Sequence, residues 1–117
     1  TDVLQKLEKE NYFDLNFFVM LADEVEQGYI LYLESTKQGT VNLEEVIDKN
    51  ICFVNIEYET KRKSGRLKSL KVIFLKPGTG EFYKKYQIQK GVRENQYKVF
   101  PLQYKKDFTF NIEDHVL

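Results

Sequence analysis

The chain has one cysteine, one histidine, two prolines and no tryptophan. A lone Cys52 excludes an internal disulfide and a thiolate metal cluster, and it fits a reducing, intracellular compartment, cytoplasmic or nuclear. A lone His115 argues against a histidine-based metal site. No metal or other cofactor is expected. The longest uninterrupted apolar run, Phe17–Ala22, is far too short to span a bilayer. A basic end, apolar middle and small-residue cleavage site, the marks of a signal peptide, are missing. The chain opens on Thr1 rather than Met, as a trimmed protein or a piece of a longer one would.

Glycine and proline are also scarce, at 6 and 2 of 117 residues. Few breakers, with abundant Tyr, Phe, Val and Ile, favour strands. The length suits one domain over residues 1–117, large enough to bury a real core. With 42% hydrophobic and 31% charged residues, the composition is globular rather than disordered.

Along the chain the apolar period changes several times. DVLQKLEKE reads as a short helix with Val3, Leu4 and Leu7 on one face. From Phe13 the odd positions Leu15, Phe17, Val19 and Leu21 are apolar, which predicts a strand; DEVEQG turns it, and GYILYLES is its antiparallel partner. VNLEEVIDKN returns to helical spacing, with Asn42 as cap, Glu45 at the capping-box position and an end near Asn50.

After that the spacing predicts strands nearly to the end: ICFVNIEYET, RLKSLKVIFLK, EFYKKYQIQ, NQYKVFPLQY and DFTFNI, with Pro101 marking an edge or bulge. KRKSGR is then a hairpin tip with Gly65 at positive φ, and KPGTGE is another turn. The fold expected is mainly β within an α+β frame: a curved antiparallel sheet or small β-barrel with one or two short helices.

Charge is the least even feature. Residues 1–60 carry 13 acids and 4 cations, residues 61–106 carry 14 cations and 2 acids, and the whole chain is neutral. In 61–71, KRKSGRLKSLK, six of eleven side chains are cations and none is an acid. Crowded cations repel one another unless something anionic lies against them.

A surface that binds nucleic acid without reading bases needs cations for phosphates and aromatics for base faces. The second half supplies both, so the expected function is non-enzymatic binding of a polyanion, DNA or RNA, with single strands favoured. The residues expected to carry it are Lys61, Arg62, Lys63, Arg66, Lys68 and Lys71 of the hairpin, with Tyr83, Lys85, Tyr97 and Lys98 on adjoining strands. The alternative is a protein-interaction or assembly domain that sets its acidic face against a basic one.

An enzymatic reading ranks lower. Glu57, Glu59 and Lys61 on one strand face would resemble the way metal-dependent nucleases hold Mg²⁺, with Asp48 the nearest upstream acid. Gly78-Thr79-Gly80 lacks the rest of a phosphate loop. Asp114–His115 has no paired nucleophile, and Cys52 between apolar neighbours is expected to be a buried, inert thiol.

Overall fold

Alternation of apolar side chains from Phe17 builds the centre of the molecule. The computed structural model describes residues 2–10, 12–36, 42–91 and 102–117. Strand β1 (Phe17–Asp23) buries every second side chain. The chain reverses through Gln27, whose φ of 55° is left-handed, and returns as β2 (Gly28–Glu34). The two pair antiparallel, Phe17 opposite Glu34 and Asp23 opposite Gly28. In the turn, Asp23 Oδ1 accepts the N–H groups of Val25 and Glu26, each at 3.1 Å. A short polar side chain at this position replaces a backbone acceptor.

Two further strands extend this hairpin in parallel. β3 (Lys71–Phe74) lies beside β2, and β4 (Leu102–Tyr104) lies beside β1. The order β3-β2-β1-β4 is that of a mixed, open sheet. The expected antiparallel curved sheet or closed barrel is therefore corrected: among the described residues the chain is α+β with four strands and four helices.

The helices are α1 (Asp2–Lys9), α2 (Leu43–Val54), α3 (Ile56–Lys63) and α4 (Thr79–Gln89), with single 3-10 turns at Lys105–Asp107 and Ile112–His115. Among the described residues no helix is long and apolar enough to cross a membrane.

Because side chains alternate across a sheet, each face has its own core. Leu31 and Leu33 pack with Leu4 and Leu7 of α1 and with Leu43 and Ile47 of α2. On the other face Val19, Leu21 and Tyr32 pack with Tyr83 of α4 and with Phe110 and Ile112 of the tail. The result is three layers: helices, sheet, then helix plus tail.

Three expected strands are not strands. Residues 51–63 finish α2 and form α3. The switch is Asn55, extended at φ −135°, whose side chain accepts the Tyr58 N–H at 3.1 Å and so starts the second helix. The alternation of Cys52, Val54, Ile56 and Tyr58 is coincidental; Val54 and Ile56 are exposed and Tyr58 is buried. KRKSGR is therefore the end of a helix and a turn rather than a hairpin tip, although Gly65 does take φ 80°.

EFYKKYQIQ belongs to α4. Its start is held by Glu34, whose carboxylate accepts the N–H of Gly78 at 3.0 Å and of Gly80 at 2.8 Å, where a negative charge suits the helix dipole. Gly80 is required by contact: a Cβ there would stand 2.9 Å from Phe17 Cβ. DFTFNI is also not a strand; it is irregular before the 3-10 turn at Ile112–His115. The strand expected over NQYKVFPLQY survives at Leu102–Tyr104, and its earlier part, with Pro101, lies outside the described residues.

α2 begins after Asn42 as expected and runs past Asn50 to Val54. Asn42 makes no capping bond to the backbone; its amide donates to Glu45 Oε2 at 3.1 Å instead.

Candidate functional site

The cations of residues 61–71 are placed by α3, the turn after it and β3, and three of the six meet acids of the first half. Arg62 points inward. Its guanidinium donates to both carboxylate oxygens of Asp48 on α2, at 3.0 and 3.1 Å, and to the Leu67 carbonyl at 3.1 Å. Asp48 also accepts the Tyr58 hydroxyl at 2.5 Å. Burial pushes the Asp48 carboxyl up, but hydrogen bonds from Arg62 and Tyr58 outweigh it and hold the group below the usual carboxylate range. Burial and the neighbouring carboxylate push the Tyr58 phenol up. Arg62 thus joins α2, α3 and the following turn.

The neighbours are neutralised nearer the surface. Lys63 pairs with Glu59 one turn back, at 3.6 Å. Lys68 reaches Glu26 in the β1–β2 turn at 2.9 Å, which lowers the Glu26 carboxyl. Arg66 Nε donates to Ser64 Oγ at 3.1 Å. Lys61, Arg66 and Lys71 are exposed and make no ion pair among the described residues.

Tyr83 is 1% exposed. Its ring lies 5.4 Å from Phe17, 5.9 Å from Phe108 and 5.2 Å from Phe110, centre to centre. It occupies the core on the far face of the sheet from α2, so it offers no surface for a base. Lys85 is exposed on α4. Tyr97 and Lys98 lie outside the described residues. The eight described members of the expected set are not gathered on one surface, since Tyr83 is buried and Arg62 points inward.

The nuclease constellation is likewise not assembled. Glu57, Glu59 and Lys61 lie on helix α3 rather than a strand, and Asp48 is occupied by Arg62 and Tyr58. Among the described residues no group of three or more His, Cys, Asp or Glu side chains could hold a metal ion. Cys52 is half-buried rather than fully buried, and burial, then the Asp48 charge, push its thiol up.

A cleft of about 530 Å³ opens between the β1–β2 turn and Lys105–Lys106. Its walls also pair with each other: Lys105 meets Asp23 at 3.3 Å, and Lys106 meets Glu24 at 3.4 Å. The Asp23 carboxyl is lowered, first by the Glu26 N–H and further by Lys105.

Sequence reasoning missed one surface. Phe53, Val54 and Ile56, at the break between α2 and α3, are 89%, 66% and 77% exposed. The pattern that might have revealed it is the helical period of residues 47–62, which places Ile47, Tyr58 and Arg62 inward and turns Phe53 and Ile56 away; Val54 falls on the inward stripe by spacing but sits where α2 ends and is exposed.

The sequence matches the GH3 family C-terminal domain over residues 1–107. No curated protein matches it. Among solved structures, it is similar to a GH3.15 acyl acid amido synthetase, at 18% identity and a TM-score of 0.72, covering 99% of this chain and 24% of that one. It is also similar to AtGH3.15 acyl acid amido synthetase in complex with 2,4-DB, at 19% identity and a TM-score of 0.69, covering 99% of this chain and 23% of that one. The chain therefore spans about a quarter of the length of these synthetases.

These findings overturn the expected DNA- or RNA-binding function and its polyanion partner. The similar proteins are synthetases, and three of the six cations that suggested phosphates, Arg62, Lys63 and Lys68, lie against carboxylates of the same chain. The alternative of an assembly domain with opposed acidic and basic faces falls for the same reason, because the two signs interleave across α2, α3 and the β1–β2 turn. With a family match over residues 1–107 and a shared fold over 99% of its length, the chain belongs to the GH3 family as a C-terminal domain.

Proposed function

We propose that this chain serves as the C-terminal module of an acyl acid amido synthetase, a protein that joins a carboxylic acid to an amine. The observation that carries the reading is the family match over residues 1–107 together with the likeness to synthetases of which such a domain is about a quarter. An amide does not form directly from a carboxylate and an amine, because the carboxylate oxygen is a poor leaving group. The acid must first be activated, and the amine then attacks the activated carbonyl.

The described residues bring together no nucleophile with a base and an orienting group, the arrangement that would mark a self-contained acyl-transfer centre. The module therefore acts with a larger part that binds the acid. Its contribution is a rigid three-layer body that presents side chains to that centre.

The test is an assay of the full-length synthetase with a panel of acyl acids, amines and a nucleoside triphosphate, with product read by mass spectrometry. Amide is expected from the full-length protein and not from the 117-residue chain by itself. A full-length protein that consumes no acid in the presence of amine and nucleotide would refute the reading.

A further inference from the structure

We propose that Glu44 of α2 and the segment His115–Leu117 together lock the outer edge of β3 and keep it from adding a strand of another molecule. The inference concerns how the sheet is closed, not amide chemistry, and it stands apart from the function proposed above.

β3 is the last strand on its side of the sheet. Its sequence makes that position hazardous. Val72-Ile73-Phe74-Leu75 is apolar, with no charge and no proline between Lys71 and Lys76. Charges and prolines are what commonly blunt an edge, and a strand-forming edge without them pairs with other chains.

The sheet ladder fixes where each backbone group points. The Leu75 N–H donates to the Leu33 carbonyl of β2 at 2.9 Å. Successive residues of a strand aim their N–H and C=O groups to opposite sides, so Val72, Phe74 and Lys76 aim outward. Three bonds meet them there. Glu44 Oε2 accepts the Val72 N–H at 2.8 Å. The Leu117 N–H donates to the Phe74 carbonyl at 3.0 Å, and the Lys76 N–H donates to the His115 carbonyl at 2.7 Å. The last two bonds set Val116 antiparallel to Leu75. One end of the edge is thus closed by backbone and the other by a side chain.

Both parts of the lock are held by other contacts. Glu44 is an exposed residue in the first turn of α2, and that helix is seated on the sheet by Leu43 and Ile47. In the tail, Glu113 Oε1 accepts the Tyr32 hydroxyl at 2.6 Å, and the His115 ring stacks on Phe110 with centres 5.2 Å apart. The pairing segment is therefore delivered to β3 in a set register.

Among the described residues no bond reaches the Val72 carbonyl or the Phe74 N–H from outside. These two residues are self-complementary about a two-fold axis at Ile73: Val72 of one copy would exchange both backbone bonds with Phe74 of another. Glu44 and Leu117 occupy the ground such a strand needs, so the lock stands against one particular register.

The test removes the lock. Glu44→Ala with Leu117→Pro deletes the acceptor at Val72 and the donor at Phe74. Val116, at φ −70° and ψ 132°, already has the backbone conformation that a following proline requires. Light scattering over about a hundredfold range of concentration should show the parent 117-residue chain as a monomer, and the double variant at about twice that mass at the upper end. Glu44→Gln with Leu117→Pro keeps an acceptor at Val72 and should need at least about tenfold more protein to dimerise. A Glu44→Ala, Leu117→Pro protein that stays monomeric would overturn the lock, and so would Ala and Gln forms that associate alike.

Register is read separately by disulfide cross-linking in a Cys52→Ser background. With the lock removed, Ile73→Cys should cross-link to its copy on mild oxidation, because residues facing each other at the two-fold have Cα atoms about 4.5 Å apart. Lys71→Cys should not, since the two copies of that position lie about 14 Å apart. Equal cross-linking at the two positions would mean unspecific aggregation and would count against the lock. Cross-linking of Ile73→Cys with Glu44 and Leu117 intact would also overturn it, because the edge would then pair with the lock in place.

Discussion

Asp48 and Arg62 form an inward-facing ion pair between α2 and α3, 3.0 Å apart, with Asp48 only 8% exposed. Removing one member of a buried pair leaves the other without its compensating charge. Asp48→Asn is therefore expected to destabilise the chain by about 2–4 kcal/mol, the lower side of the range for buried pairs because Arg62 retains some solvent contact. Urea unfolding of the two proteins measures this. A loss under about 0.5 kcal/mol, typical of surface changes, would show that the pair is not holding α2 to α3.

The same pair sets a pH dependence. The Asp48 carboxyl is lower in the folded chain than its ordinary value. Its contribution is then complete above about pH 4, the ordinary carboxylate range, and is lost as pH falls through the lower folded value. Melting temperature should drop on acidification below about pH 4, and Asp48→Asn should make that drop shallower. Parallel slopes in the two proteins would remove Asp48 as the cause.

Glu34 and Gly80 make a matched pair of changes at the start of α4. Glu34→Ala removes the acceptor of two N–H groups and should cost about 1–2 kcal/mol. Gly80→Ala pushes a methyl group against Phe17 Cβ, which cannot swing away as a side-chain tip can, and should cost about 1–3 kcal/mol. Thermal or urea unfolding reads both. A neutral Gly80→Ala would mean that α4 shifts freely over β1.

Tyr83 separates a core role from a surface one. Tyr83→Ala should destabilise the chain by about 3–5 kcal/mol, as other buried aromatic truncations do. Tyr86 and Phe110, whose rings lie 5.3 Å apart beside it, should lose near-ultraviolet circular dichroism at the same time. An unchanged melting curve would contradict the packing described.

The elements of the first 34 residues were legible because they obey one period at a time, except that the strand expected from Phe13 begins only at Phe17. The amphipathic α1, the alternating β1 and the Asp23 turn each satisfy a local rule, and tertiary structure agrees with it. Residues 51–63 were not, because Cys52, Val54, Ile56 and Tyr58 alternate by chance while the backbone follows the helical period of Ile47, Tyr58 and Arg62. In α4, Tyr83 and Tyr86 are three apart, and aromatic composition obscured that spacing.

The basic cluster was visible as composition, but its compensation was not. Asp48 precedes Arg62 by 14 residues and Glu26 precedes Lys68 by 42, and only the fold brings them together. The exposed ridge at Phe53 was hidden by the same misread period, since a strand would have buried half of it. The family itself announced no motif, because the described residues of this domain hold no catalytic cluster to recognise.

The order β3-β2-β1-β4 also constrains the sequence of events when the chain is made. The central hairpin is complete once Glu34 has left the ribosome, but β1 gains its outer neighbour only when Leu102–Tyr104 arrive, with Met20 opposite Leu102. Until then one flank of β1 has unpaired backbone groups, the template on which strands of other nascent chains add. Leu102–Tyr104 thus cover that flank of β1, and a chain cut before Leu102 should yield aggregates rather than a smaller folded protein.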